Sequence, residues 1–178
     1  RELEEVEKKV RTVLEEVRRI SEKAEELSRR VLEEARKISE DNEREVRRVV
    51  EDVRRENDRE LLKKLLEEVR RSSEEVIKRL EDLLRKLEEE HKRVIDKLKD
   101  LLRRVREIVE EVIRRTGEEA DLVERLKELV KKVEDEVRRL VKRNKDIVDD
   151  IRRRVEELVR RNKRITDEVR KEADKLRR

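Results

Sequence analysis

The chain has 178 residues, 60% of them charged and 33% hydrophobic, with 55 basic and 51 acidic side chains and a formal net charge of +4. It contains no Cys, Pro, Met, Phe, Trp or Tyr, and its one glycine is Gly117. These facts exclude disulfides, thiolate nucleophiles and cysteine-held metals. They also exclude a glycine-rich phosphate loop and, because both signs of charge are interleaved throughout, a one-sign field for steering nucleic acid.

A charge fraction this high often marks a disordered chain, because too few apolar groups are left to offset the ordering entropy. Here Leu, Val and Ile recur at helical spacing, and almost every other residue is a good helix former. The periodicity predicts three helices at about 2–56, 59–115 and 118–177 in a single domain, 1–178. Each would be roughly 85 Å long at 1.5 Å per residue. The first break is Glu56-Asn57-Asp58-Arg59, where Asn57 suits a left-handed helix end and Asp58 an N-cap. The second is Thr116-Gly117-Glu118, where Gly117 suits the left-handed position. The acidic run Glu118, Glu119 and Asp121 complements the positive end of the third helix. Short connections make successive helices antiparallel neighbours.

The helices repeat every eighteen residues. In the second helix the slots read Leu62/Leu80/Leu98, Leu66/Leu84/Leu102, Val76/Val94/Val112 and Ile77/Ile95/Ile113. The first gives Val13/Val31/Val49, and the third Leu129/Ile147/Ile165. Eighteen residues in five turns match the period of an unstrained helix, so little supercoil is expected. The apolar stripe is wider than a two-position seam and suits helices that each pack on two neighbours. Glu15/Arg19, Glu33/Lys37 and Glu51/Arg55 repeat as (i, i+4) pairs.

On these features the whole chain resembles parametrically designed helical bundles, with idealised helices, minimal loops, a Leu/Val/Ile core and a Glu/Lys/Arg surface. The resemblance implies an all-α, antiparallel up-down-up three-helix bundle of unusual thermal stability that serves as a structural scaffold. Spectrin-like three-helix repeats are similar in topology, but they are shorter and carry core aromatics that this chain lacks. Arg1 is not an initiating residue, so a tag or leader is expected to have been removed. No signal peptide and no membrane-length apolar run are recognisable. A synthetic product of this kind has no native compartment and is expected to be soluble.

The residues that break the apolar template are the candidate site. Asn42 falls in the slot of Val6 and Ala24, Asn144 and Asn162 in that of Leu126, and Ser73 and His91 in that of Val109. Ser28 shares a slot with Val10 and Val46, and Thr166 with Val130 and Val148. Counting outward from the two breaks puts Asn42, Ser73 and Asn162 at one height, Ala24, His91 and Asn144 at a second, and the apolar Val6, Val109 and Leu126 at a third. Ser28 is expected to reach the His91 layer, and Ser72 and Thr166 to extend the other. A buried polar group without a partner costs roughly 1–3 kcal/mol, so matched polar layers penalise shifted registers and wrong oligomers.

His91 is read as buried, neutral and hydrogen-bonded to Asn144. The sharper reading, a pH switch, requires that burial. A metal site lacks a second ligand in the layer. Arg152-Arg153-Arg154 is a solvated face, Asp149-Asp150 diverge by about 100° on a helix, and Ser72-Ser73 lie about 27 Å by rise from His91. The reading is therefore no enzyme, no cofactor, no metal, and no nucleic-acid or membrane partner, with a monomer as the state in solution. The alternative is a designed interaction or oligomerisation module, either helix-swapped or pH-sensitive through His91.

Overall fold

In the computed structural model, which describes residues 2–117 and 119–177, the apolar stripes form three helices: α1 (Glu2–Arg55), α2 (Arg59–Thr116) and α3 (Ala120–Arg177). They make an all-α, antiparallel up-down-up three-helix bundle. Glu2, Glu4 and Glu5 open α1, while Arg54 and Arg55 close it; Arg114 and Arg115 close α2. Each of these charges opposes the helix dipole at its end.

The two connections end their helices differently. Gly117 has φ of +66°, the left-handed conformation expected of it. The Glu119 N–H then donates to the Gly117 carbonyl at 2.7 Å, and the Val123 N–H donates to the Glu119 carbonyl at 3.0 Å, which starts α3. Glu118 lies outside the described residues. Asn57 departs from expectation: among the described residues only Gly117 has positive φ, so Asn57 is not left-handed. The Glu56 carboxylate does the work instead. Its Oε1 accepts the N–H of Asn57 at 3.2 Å and of Asp58 at 3.3 Å. Asp58 is the N-cap, its Oδ1 accepting the N–H of Glu60 at 3.1 Å and of Leu61 at 3.4 Å.

By contact density the chain divides into two compact units, 1–27 with 88–148 and 28–87 with 149–178. The core of the first joins Val6, Val10 and Val17 on α1, Leu98, Leu101, Val105, Val109 and Val112 on α2, and Leu126, Val133, Val137 and Leu140 on α3. The second has a core of Val46, Val49 and Val53 on α1, Leu62, Leu66 and Val69 on α2, and Val169 on α3. In this second unit Arg59 Nε also donates to the Leu176 carbonyl at 2.7 Å, which satisfies an acceptor at the end of α3.

Among the described residues the three repeating (i, i+4) pairs expected on α1 do not form. Exposed long side chains gain little from a fixed ion pair. On α2 an (i, i+3) pair repeats at the eighteen-residue step instead: Asp82–Arg85 and Asp100–Arg103, each at 2.9 Å.

A Cβ at Gly117 would meet nothing within 4 Å, so an alanine there feels only its own backbone. The left-handed conformation costs alanine roughly 1–2 kcal/mol, partly offset by its stiffer unfolded chain. Gly117→Ala should therefore lower stability by about 1 kcal/mol in chemical denaturation. An unchanged or raised midpoint would contradict this.

Candidate functional site in the buried polar layers

The second unit contains a hydrogen-bonded cluster of five buried side chains: Ser39 and Asn42 from α1, Ser73 from α2, and Asn162 and Thr166 from α3. Ser73 and Asn162 are fully enclosed, at 0% exposure. The direction of every bond can be derived from two backbone carbonyls, which can only accept. Asn162 points its amide at the Leu158 carbonyl, at 2.7 Å, so the atom there is Nδ2. Its second hydrogen goes to Ser39 Oγ at 2.8 Å. Oδ1 of Asn162 consequently faces Asn42 and accepts from Asn42 Nδ2 at 2.9 Å. The other Asn42 hydrogen goes to Ser73 Oγ at 3.2 Å. Thr166 spends its single hydroxyl proton on the Asn162 carbonyl at 2.9 Å. It must therefore accept from Ser73 across the 2.6 Å contact between them. The result is a closed ring through three helices, from Asn42 to Ser73, to Thr166, to the backbone of Asn162, and back through the Asn162 side chain.

The first unit holds a shorter version. Asn144 Nδ2 donates to Ser21 Oγ at 2.7 Å and to the Leu140 carbonyl at 2.8 Å. Ser21 and Asn144 are both buried. This is the Ser39–Asn162–Leu158 arrangement moved back by eighteen residues on both helices, with the same separation of 123 along the chain. The third copy of those slots is Leu3 and Leu126, so the α1 and α3 members change from apolar to polar together.

The cross-section of Asn42, Ser73 and Asn162 is thus assembled, and Thr166 joins it. Ser72 does not extend it, because that side chain is exposed. Ser28 is buried in the second unit. His91 is half-buried where enclosure was expected. Ser21 and Ser39 are the functional residues that reading the slots missed. Their signal was present: a Ser–Ser spacing of eighteen on α1 matches the Asn144–Asn162 spacing on α3.

Ion pairs flank the layers. On α1 and α3, Glu25 pairs with Arg143, and Glu43 with Arg161 at 2.8 Å, again eighteen residues apart. Glu136 accepts from Arg139 at 2.8 Å and from Arg18 at 3.2 Å. The Arg139 hydrogen bond, against the opposing effect of partial burial and with help from Arg18, holds the Glu136 carboxyl below its ordinary range. Among the described residues no group of three or more His, Cys, Asp or Glu could hold a metal ion, and no helix is long and apolar enough to cross a membrane.

Removing the Asn162 side chain strips a partner from both Asn42 and Ser39 in the core, whereas removing that of Asn144 strips one from Ser21 alone. Asn162→Ala should therefore cost roughly 1–3 kcal/mol more than Asn144→Ala in urea unfolding; equal losses would show that the ring is not coupled. For Glu136 the folded carboxyl titrates below the unfolded one. Its contribution is complete above the ordinary carboxylate range and disappears as pH falls through the depressed value. The stability difference between the parent chain and Glu136→Gln should shrink between about pH 7 and about pH 3. A pH-independent difference would contradict the assignment.

Among solved structures, a chain described as a computationally designed three helix bundle aligns with this one at a TM-score of 0.70 and 18% sequence identity, covering 98% of this chain and 90% of that one. No family model matches the chain, and no curated protein matches it. At that identity the likeness carries the fold, and the fold is the three-helix bundle described above.

Proposed function

We propose that this chain is a de novo designed structural scaffold without natural biochemical activity, whose buried polar layers specify helix order and register. One observation carries the reading. The Ser–Asn–carbonyl arrangement occurs twice, at an identical chain separation and with bond lengths within 0.1 Å of each other. Such copying is what an idealised repeat with selected positions rewritten would produce. The idealised composition and the likeness to a designed bundle support it. The function assigned to the layers is selection among alternative packings, because an unpaired core amide costs more than a surface ion pair returns.

The test rewrites both layers with the residues of the apolar repeat: Ser21, Ser39, Asn144 and Asn162 to Leu, and Asn42, Ser73 and Thr166 to Val. The variant should remain helical and at least as resistant to heat. In sedimentation equilibrium it should lose the single 21.9 kDa species expected of the parent and give a mixture of states. A variant that stays one monomeric species with unchanged hydrogen-exchange protection would overturn the specifying role.

A further inference from the structure

We propose that Asn57 is a site of spontaneous intramolecular deamidation, with the Glu56 carboxylate as the base that readies the attacking nitrogen. Four asparagines occur in the chain, and three are locked. Asn42, Asn144 and Asn162 are buried, their amides are hydrogen-bonded, and the nitrogens that follow them belong to Glu43, Lys145 and Lys163 inside continuous helix. Asn57 is exposed and lies between α1 and α2. Among the described residues it bonds through its backbone N–H, which leaves the side-chain amide in solvent.

The reaction requires the Asp58 nitrogen to bond to Asn57 Cγ. That nitrogen is a poor nucleophile until it loses its proton. Here its N–H already points at Glu56 Oε1, 3.3 Å away, and the same oxygen accepts the Asn57 N–H at 3.2 Å, which fixes the carboxylate over the turn. A base within hydrogen-bond reach of the proton it removes is the geometric condition for general base catalysis. The Asp58 N–Cγ bond forms, the nitrogen's proton passes to Glu56, and the Asn57 side-chain amide takes a proton and leaves as ammonia. The five-membered succinimide that results is opened by water at either carbonyl, giving aspartate or isoaspartate. The net change is one amide nitrogen lost as ammonia and one water consumed. The formal net charge falls from +4 to +3. In the isoaspartate the main chain passes through the β-carbon directly before Asp58, the residue whose carboxylate caps α2.

The full-length protein, held folded in mildly alkaline buffer, is sampled over time by peptide mass mapping with isoaspartate detection. Acid should accumulate at position 57 while Asn42, Asn144 and Asn162 stay amides. Glu56→Gln should slow the reaction at least about tenfold, a modest share of what positioned proton transfer commonly supplies. In urea, where the turn geometry is gone, the two chains should react at the same rate. Circular dichroism checks that the exposed loop variant keeps its helices. Amide loss at a buried asparagine ahead of Asn57, an unchanged rate in folded Glu56→Gln, or an equal slowing in urea would each overturn the proposal.

Discussion

The Leu158 carbonyl can accept a hydrogen bond and can never donate one, and the polarity of the buried layer follows from that. Once Asn162 Nδ2 is fixed on Leu158, its Oδ1 has one direction left, toward Asn42. Asn42 must then donate twice, and Ser73 and Thr166 must relay in a single sense. Turning either asparagine round sets like groups face to face: Asn162 would put its Nδ2 against that of Asn42, and Asn42 its Oδ1 against that of Asn162. In a core of Leu and Val the cost of such a fault is not screened by solvent. A small polar cluster therefore constrains three helices more tightly than its few bonds would suggest from their net strength of roughly 1 kcal/mol each.

Much of the fold was legible because it rests on local rules. The helical period, the wide apolar stripe and the two breaks place α1, α2 and α3 to within two residues at the described ends. The layer of Asn42, Ser73 and Asn162 was legible for the same reason, since each stands out in a slot that is otherwise apolar. Ser21 and Ser39 were harder to see. Counting heights through two turns offsets Asn42 from Asn162 by 120, yet Asn162 donates to Ser39 at an offset of 123. One amide serves two successive turns of α1, and a comparison of equal heights finds only the first.

The residues misread were those whose role depends on side-chain direction or on a neighbour's side chain. His91 occupies a core slot by number, but a slot is an angular range, and its side chain is only half-buried there. Asn57 has the residue type for a left-handed helix end, but Glu56 supplies the acceptor that such an end would provide, and no positive φ is needed. Propensity describes what a residue tolerates. Which of the tolerated options is used was decided here by a carboxylate one residue away.

The eighteen-residue repeat creates the register problem to which the proposed role of the polar layers answers. An apolar template that repeats every five turns is nearly blind to a slip of one repeat, about 27 Å by rise. One set of α1–α3 ion pairs does not remove this degeneracy, because it is periodic itself. Glu25–Arg143 and Glu43–Arg161 stand at the same offset of 118, so a slipped α1 would still set Glu25 opposite Arg161. The Ser–Asn pairs remove part of it: in one direction Asn144 would face Leu3, and in the other Ser21 would face Leu126. The ring adds the rest, because its three slots are filled differently in each repeat. They read Val6, Val109 and Val130 in the first, Ala24, His91 and Val148 in the second, and Asn42, Ser73 and Thr166 in the third. Positions that differ between repeats distinguish one register from the next, and on the proposed reading the polar slots do so most sharply, because a slip there would set an amide or hydroxyl against Leu or Val.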